Sequence, residues 1–262
     1  MCKWDAKDYK NNSKYQEQWA RELIAKIKIK PCWNVLDIGC GDGRLTAIVA
    51  EKIRKGKVLG IDNSESMVKH AKNEFNGGKY KNLEFISNDA RKINFKNKFD
   101  LILSNSCLHW VIDHQSLLKR IKMALKPNGK IFIQMGGKGN AQMMVNTVNK
   151  IIREDKWEKY FRNFLFPWGF YGAKQYRAWL KQAGLKPDSV KILTRIMRQN
   201  KAGMTAWIRT TWLPYTQRVP EKLRKEFLNE ILQRYIEKHP LDSKGLLTLI
   251  MKRLEIIAER QA

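Results

Sequence analysis

The sequence predicts an α/β fold built on a doubly wound, mostly parallel sheet of seven strands. Five short apolar runs alternate with stretches long enough for helices, and two further β-like runs lie towards the carboxyl end. A glycine-rich segment directly follows the first run, and an Asp closes or follows each of the first three. Strands that are buried on both faces and joined by helices produce this alternation.

Length and hydropathy limit the classes of protein to which the chain could belong. Its 262 residues can bury a sizeable core, as one large domain or as a domain with an inserted cap. No apolar run is long enough to span a membrane. The polar amino-terminal segment lacks the apolar stretch of a signal peptide. We therefore expect a cytoplasmic protein.

The cysteines predict neither a disulfide framework nor a metal site. Cys2, Cys32, Cys40 and Cys107 form no C-x-x-C pair and have no His at the spacing of zinc ligands. We expect reduced thiols and no bound metal.

The formal net charge of +26 raises the hypothesis of a nucleic-acid partner, because Lys and Arg supply most non-specific affinity for phosphate backbones. The charge is evenly spread, however. Residues 198–262 carry 13 basic and 7 acidic side chains, a net charge of +6, which leaves +20 for residues 1–197. Since no basic block stands out, a solvated basic surface is favoured over a nucleic-acid partner. Such a field would also concentrate anionic substrates.

The first predicted element is an amphipathic helix between residues 15 and 28, where Trp19, Leu23, Ile24 and Ile27 recur at helical spacing. Residues 1–30 are predicted to form a helical lid segment. Five predicted strands follow: NVLDIG from Asn34, KVLGID from Lys57, LEFISND from Leu83, FDLILSN from Phe99 and KIFIQMG from Lys130. The segment LKPNGK before the fifth is predicted as a turn.

Two more predicted strands complete the sheet, SVKILTRIM from Ser189 and KRLEIIAER from Lys252. The predicted core therefore comprises residues 31–138 and 185–262. Two helical insertions, residues 139–184 and 201–238, are rich in Trp. We expect them to form a cap over the carboxyl ends of the parallel strands, where open α/β sheets bind ligands.

The segment NVLDIGCGDGRLT places Gly39, Gly41 and Gly43 in a turn between the first strand and the next helix. Backbone N–H groups point outward at such a turn, and glycines let a ligand approach the main chain closely. The G-x-G-x-G spacing differs from the G-x-G-x-x-G of dinucleotide binders, which disfavours an oxidoreductase. A tight turn without a ligand is the alternative.

Three acids strengthen the prediction of a binding site at this turn. Asp37, Asp62 and Asp89 stand at the ends of the first three predicted strands. A lone Asp at a strand end is most often a helix cap or a turn former. Three of them in register with the glycine loop favour a ligand at this edge of the sheet.

At these motifs the chain resembles the class I methyltransferases, which have a seven-stranded Rossmann-like sheet and use S-adenosylmethionine. VLDIGCGDG, GIDNSESM and SNDA resemble the first three motifs of that family, and FDLILSNSCLHW with LKPNGKIFIQM resembles the later pair. The resemblance implies S-adenosylmethionine as the methyl donor, S-adenosylhomocysteine as its product, and an antiparallel pairing of the last two strands.

The resemblance also assigns the cofactor contacts. Asp37 and the glycine loop would meet the methionine part, Asp62 the ribose hydroxyls, and Asp89 the adenine amino group, while Met67 can stack on the ring. The complete implied set is Asp37, Gly39, Cys40, Gly41, Asp62, Asn63, Met67, Asn88, Asp89, Ala90 and Asn105.

Outside the cofactor motifs the chain resembles two families that methylate carboxylates. CLHWVIDH and DYKNNSKYQ resemble juvenile hormone acid methyltransferases, whereas CLHWVIDHQSLL and HPLDSKGLLTLIMKRLEIIAER are similar to trans-aconitate methyltransferases. The chain departs from the second family at residues 210–216, where TTWLPYT replaces a GLRPW-like segment and Arg209 lies upstream. This departure weighs against a tricarboxylate acceptor.

Three residues are candidates for the chemical step. Resemblance to the hormone-acid enzymes implies that Gln16 and Trp110 donate N–H groups to the acceptor carboxylate. The alternatives are an exposed polar side chain and a core indole. His109 is a candidate general base, but a carboxylate is already ionised at neutral pH, so a structural His is favoured. Orientation of the carboxylate would then supply most of the rate.

Three functional hypotheses follow from these patterns. In the first, the enzyme esterifies a small-molecule carboxylic acid. In the second, the acceptor is a carboxymethyluridine of tRNA or another oxygen or nitrogen atom. A tRNA acceptor would need an open basic face. The chain has nine tryptophans, five of them in the predicted cap, which favours an enclosed apolar pocket instead. The third is a non-catalytic protein that binds S-adenosylmethionine and acts through a partner. The sequence predicts neither the acceptor nor the oligomeric state.

Overall fold

The computed structural model describes residues 3–75 and 78–261, and its sheet confirms the predicted fold class. Seven strands form one sheet: β1 (Val35–Ile38), β2 (Val58–Asp62), β3 (Leu83–Ser87), β4 (Phe99–Asn105), β5 (Leu125–Gly136), β6 (Leu185–Gln199) and β7 (Leu247–Arg260). Cys2 lies outside the described residues.

Helices precede and separate these strands. The α-helices of the described part of the chain are α1 (Ala6–Asn12), α2 (Lys14–Ala25), α3 (Arg44–Ala50), α4 (Glu65–Glu74), α5 (His114–Ala124), α6 (Gln142–Ile151), α7 (Asp155–Phe161), α8 (Ala173–Gln182), α9 (Lys201–Thr211), α10 (Leu213–Thr216) and α11 (Glu221–Lys238). Short 3₁₀ turns cover Gly78–Tyr80, Ala90–Lys92 and Leu108–Trp110. Every helix in residues 3–75 and 78–261 is too short or too polar to cross a membrane.

The strand order is β3-β2-β1-β4-β5-β7-β6. The first five strands in this order are parallel, and β7 is antiparallel to β5. Because β1 pairs with both β2 and β4, the order of the strands reverses there. In open α/β sheets, ligands bind at the carboxyl ends of the strands beside such a reversal. The glycine loop lies at this point.

The parallel strands are buried on both faces, as their apolar runs predict. All four residues of β1 are buried. Leu36 and Ile38 belong to one apolar cluster, whereas Val35 belongs to another that includes Leu23 and Ile24 of α2. Alternate side chains of a strand point to opposite faces, so β1 anchors a core on each side of the sheet.

Three predicted strand boundaries are wrong, because each of the three strands begins earlier than the sequence pattern from which it was predicted. β6 begins at Leu185 instead of Ser189, and β7 at Leu247 instead of Lys252. The predicted turn LKPNGK lies inside β5, where Leu125 pairs with Phe99 and the register then shifts. Asn128 has φ +61°. This left-handed conformation is typical of a bulge, where one strand has more residues than its neighbour.

The chain forms two compact units. Residues 14–138, 168–193 and 253–262 make the sheet unit, which contains β1 to β5. The helical unit comprises residues 139–167 and 194–252 together with the amino-terminal residues up to Ser13. In the helical unit the fully buried Trp157 donates its indole N–H to Glu230 Oε2 at 2.9 Å, which joins α7 to α11.

Candidate functional site

The glycine loop after β1 is tied to the end of β2. Gly39, Gly41 and Gly43 have φ values of +77°, +54° and +82°, which only glycine adopts without strain. A Cβ at Gly39 would overlap the side chain of Cys107, whereas a Cβ at Gly41 would meet no atom within 4 Å. The first glycine therefore permits close packing, and the second leaves open space beside the main chain.

The side chain of Asp62 makes this connection between the glycine loop and the end of β2. Its two carboxylate oxygens accept N–H groups from Gly41 at 3.0 Å and from Ser64 at 2.9 Å. Burial raises the pKa of Asp62, and the backbone donors oppose that rise. The carboxylate thus holds the loop in place and remains partly exposed to solvent.

Asp37 is a buried acid at the end of β1, with 1% of its surface exposed. Thr46 donates its hydroxyl to Oδ2 at 2.7 Å, while Oδ1 has no hydrogen-bond partner among the described residues. Burial raises the pKa of Asp37 from 3.8 to about 7, and the charge of Asp62 adds to the rise. Burial also raises the pKa of the Cys40 and Cys107 thiols beside these acids.

The third predicted motif follows β3. Asn88 donates its backbone N–H to Asp62 O at 2.9 Å, which brings this motif to the second strand end. Both oxygens of Asp89 lie 3.0 Å from Arg91 Nε, and this pairing lowers the pKa of Asp89. Arg91 is thus paired with the Asp89 carboxylate, which the sequence predicts to contact the adenine amino group. That contact stays a prediction.

The other predicted cofactor residues differ in exposure. Met67 is 3% exposed in the first turn of α4, Asn63 is exposed, and Ala90 is half-buried at the start of a 3₁₀ turn. Asn105, at the end of β4, donates its amide to Gln16 O at 3.2 Å. Its own Oδ1 is buried without a hydrogen-bond partner among the described residues. The contact brings the start of α2 to the sheet edge.

His109 and Trp110 lie on the short 3₁₀ turn that follows β4. Gly136 donates its backbone N–H to His109 Nδ1 at 3.4 Å, so a neutral imidazole carries its proton on Nε2. Burial, reinforced by the positive charge of Arg253, lowers the pKa of His109 well below its usual range. The imidazole is therefore neutral at physiological pH and a weak base.

Trp110 is half-buried rather than a core residue. Its ring packs edge-on against Trp168, with centroids 5.9 Å apart, and lies 5.8 Å from the His109 ring. These neighbours fix the orientation of the indole.

The predicted site residues do not include three further residues at this edge of the sheet: Thr46, Ser106 and Arg253. Thr46 holds Asp37. Arg253 is 3% exposed and donates to Ser106 Oγ at 2.6 Å. One signal was present in the sequence, since Arg253 and Glu255 place charges at alternate positions of a predicted strand, and charges buried in a sheet generally serve pairing or binding.

We find no candidate metal centre among residues 3–75 and 78–261. Within these ranges no group of three or more His, Cys, Asp and Glu could hold a metal ion. Cys32, Cys40 and Cys107 are free thiols.

Comparison with known proteins identifies the family. The model of the methyltransferase domain matches residues 29–184, more than half of the chain. The chain belongs to the methyltransferase domain family. It is an S-adenosylmethionine-dependent methyltransferase, and the sequence-based assignment of enzyme class and cofactor is confirmed.

One relative is similar to this chain in sequence, and two solved structures are similar to it in fold. The trans-aconitate 2-methyltransferase of Variovorax paradoxus is 27% identical, over 100% of both chains. The YcgJ protein of Bacillus subtilis has a TM-score of 0.66 at 16% identity, over 94% of this chain and 99% of that one. Phosphoethanolamine N-methyltransferase 2 of Haemonchus contortus, solved with S-adenosylmethionine, has a TM-score of 0.59 at 18% identity, over 94% and 53% respectively.

The residues at the sheet edge of this methyltransferase fit S-adenosylmethionine. The buried Oδ1 atoms of Asp37 and Asn105 are acceptors without a hydrogen-bond partner in the described part of the chain, and buried polar atoms normally have one. Open space beside Gly41 lets a ligand reach the loop. An ammonium group of the methionine part, with three N–H donors, would satisfy such acceptors.

Proposed function

We propose that this methyltransferase esterifies a carboxylate of a small-molecule acid. The observation that carries the proposal is the state of His109. Its Nδ1 accepts the Gly136 N–H, and its pKa is depressed by burial, so the imidazole beside the site is poorly suited to remove a proton. A carboxylate needs no such base, because it is already ionised at neutral pH. The trans-aconitate 2-methyltransferases among the relatives act on a compound of this class.

The proposed cofactor contacts lie at the ends of β1, β2 and β4 and on α4. Asp37 and Asn105 would hold the ammonium group, Asp62 the ribose hydroxyls, and Met67 the face of the adenine. When bound, S-adenosylmethionine supplies an electrophilic methyl group and leaves as a neutral thioether. Since the carboxylate provides its own lone pair, the protein has to orient the acceptor, and no proton has to move.

Gln16 and Trp110 would orient the acceptor. The backbone of Gln16 is fixed to the end of β4 by Asn105, and Trp110 follows the same strand. An amide N–H and an indole N–H donated to one carboxylate would hold an oxygen in line with the methyl group. His109 Nε2–H is a third donor of fixed tautomer at this turn.

The raised pKa of Asp37 predicts that cofactor binding depends on pH. A carboxyl whose pKa rises on folding stabilises the fold below 3.8, and this contribution is lost as the pH rises through about 7. A cationic ligand favours the ionised form instead. The affinity for S-adenosylhomocysteine should therefore increase about tenfold between pH 6 and pH 8.

Calorimetric titration at pH 6.5 in two buffers of different ionisation enthalpy measures the proton that is released. Asp37→Asn should abolish this release. A wild-type affinity that stays constant from pH 6 to pH 8 would contradict the assignment of Asp37 to the ammonium group.

The ester itself is the test of the proposed function. Small carboxylic acids are incubated with enzyme and methyl-labelled S-adenosylmethionine, and the labelled product is treated with mild alkali. We expect the label to be released as methanol, because esters hydrolyse under conditions in which N-methyl and C-methyl groups survive. Label that remains on the product after alkali would refute esterification and would point to a nitrogen, hydroxyl or carbon acceptor.

A further inference from the structure

The helical unit contains a basic cavity at the carboxyl ends of α6 and α11, two helices that pack against each other. This α6–α11 cavity has a volume of about 500 Å³, which is within the range of small-molecule sites. All of its lining residues belong to the helical unit. The polar and charged ones that bear on its chemistry are Asn146, Asn149, Lys150, Arg153, Lys238 and His239.

Three cations line the α6–α11 cavity without an acid to neutralise them. Lys150, Arg153 and Lys238 are exposed. In the described part of the chain none of the three forms a salt bridge, and no residue that lines the cavity is acidic. A side-chain contact with Lys150, and the positive charge of that residue, lower the pKa of Lys238, and Glu237 offsets this only in part. Since two ammonium groups in contact repel each other, a negative charge beside them would be stabilising.

Two asparagine amides add hydrogen-bond donors to this lining. Asn146 Oδ1 accepts the amide of Gln142 at 2.8 Å, and Asn149 Oδ1 accepts the hydroxyl of Tyr215 at 3.5 Å. Because each amide oxygen already has a donor, the N–H groups are what these two side chains can offer to a ligand. Positive charge and N–H donors together fit an oxyanion, whose oxygens accept hydrogen bonds.

Stabilisation of the helix ends does not by itself explain the arrangement. Lys150 and Lys238 lie in the last turns of α6 and α11, and a cation there interacts favourably with the helix dipole. This effect acts on each lysine separately. It does not account for the convergence of both lysines and Arg153 on one cavity.

A second basic cavity of the helical unit shows the opposite arrangement. It has a volume of about 620 Å³ and is lined by residues of α7 and α11. Lys156 Nζ lies 2.7 Å from Glu226 Oε1, and Arg234 Nη2 lies 3.2 Å from Glu154 Oε2. Acids of the chain itself balance these cations, so this cavity requires no external anion. The α6–α11 cavity has no such acids in its lining.

We propose that the α6–α11 cavity binds the phosphate group of a small molecule, which Lys150, Arg153 and Lys238 hold. A phosphate carries about −1.5 to −2 charges at pH 7 and three strong acceptor oxygens, so it balances more of the three cations than one carboxylate would. Both Lys and Arg are phosphate ligands. A nucleic-acid backbone would instead call for cations along a stripe, whereas these three meet in one compact cavity. The proposal does not depend on the identity of the methyl acceptor.

Pyrophosphate and ribose 5-phosphate test the proposal as a free diphosphate and as a phosphate ester. Each is titrated calorimetrically into the full chain at low ionic strength, with S-adenosylhomocysteine present at saturation so that neither compound binds at the glycine loop. We expect at least one of them to bind the wild type with a Kd of about 1 mM or tighter. Its affinity should fall about tenfold or more in Lys150→Gln/Lys238→Gln, which loses two charged contacts to phosphate. The compound that binds more tightly identifies which of the two forms the site takes.

Lys222→Gln/Lys225→Gln is the matched control. It makes the same change in net charge on two exposed lysines of α11 that line the second cavity. Its affinity for the phosphate compound should stay within about twofold of that of the wild type. Thermal unfolding and titration of S-adenosylhomocysteine verify that each variant is folded. If Lys150→Gln/Lys238→Gln fails this check, Lys238→Gln replaces it and should weaken the binding about threefold or more.

Three results would overturn the proposal. The first is a wild type that binds neither compound. The second is an unchanged affinity in the folded lysine variant of the α6–α11 cavity. The third is an equal loss in the control variant, which would assign the binding to the overall positive charge of the chain. A short single-stranded RNA that binds through Lys150 and Lys238, when neither phosphate compound binds, would also refute a small-molecule ligand and would favour a nucleic-acid partner.

Discussion

Asp62→Ala is expected to weaken the binding of S-adenosylhomocysteine by a factor of about 100 or more. A carboxylate that accepts two ribose hydroxyls in a partly buried site contributes about 1.5 to 3 kcal/mol for each hydrogen bond, and each 1.4 kcal/mol is a factor of about ten in affinity. The variant also removes the acceptor of the Gly41 N–H, which loosens the loop. Calorimetric titration with S-adenosylhomocysteine measures the loss.

Asp100→Asn is the matched control for this experiment. Asp100 accepts the backbone N–H of Asn34 at 2.7 Å and pairs with Lys126 at 2.8 Å, but it lies near the start of β4, at the opposite edge of the sheet from the glycine loop. Its loss should lower stability and leave the cofactor affinity unchanged. An Asp62→Ala protein that binds S-adenosylhomocysteine as tightly as the wild type would remove the basis for assigning this strand end to the ribose.

Gln16→Ala and Trp110→Phe are each expected to lower kcat/KM for the acceptor by one to two orders of magnitude. Each change removes one N–H donor to a charged group, which costs about 1.5 to 3 kcal/mol. Trp110→Phe keeps an aromatic ring against Trp168. Since both donors act on one carboxylate, the loss in the double variant should be smaller than the sum of the single losses.

Steady-state kinetics measure the effect of each variant on the acceptor, and titration of S-adenosylhomocysteine measures its effect on cofactor binding. The cofactor affinity should stay near that of the wild type. Gln18→Ala serves as control, because Gln18 lies on the same helix and is exposed, with its amide donated to Glu22 at 3.1 Å. If acceptor kcat/KM in the folded Gln16 and Trp110 variants stays within about threefold of wild type, Gln16 is a surface residue and Trp110 a packing residue.

The neighbours of the buried residues at the strand ends are the part of the structure least accessible to sequence. Arg253 lies 148 positions after Asn105 in a strand that the apolar pattern identifies only as a sheet element. Pairing of β7 with β5 places it opposite Gly136, and the hydrogen bond to Ser106 places it at the end of β4. The charges at Arg253 and Glu255 are visible in the sequence, but their neighbours are not, because strands far apart in the chain supply them.

The sequence by itself determined the sheet class and the glycine loop at which we propose that the cofactor binds. Apolar runs of strand length can be buried on both faces only between helices, and a glycine loop with positive φ is encoded by the glycines themselves. The acids at the ends of the first three strands then mark the edge of the sheet to which the carboxyl ends of these strands point. These signals are local, and Asp37, Gly41 and Asp62 lie where the patterns place them.

The tertiary structure alone decided the protonation states and partners at that edge. Burial raises the pKa of Asp37 to about 7, and Arg91 pairs with Asp89. Burial lowers the pKa of His109, while the Gly136 N–H occupies its Nδ1. Each outcome depends on desolvation and on neighbours that the fold brings together. The composition of a motif specifies which groups are present, whereas their charge depends on the packing around them.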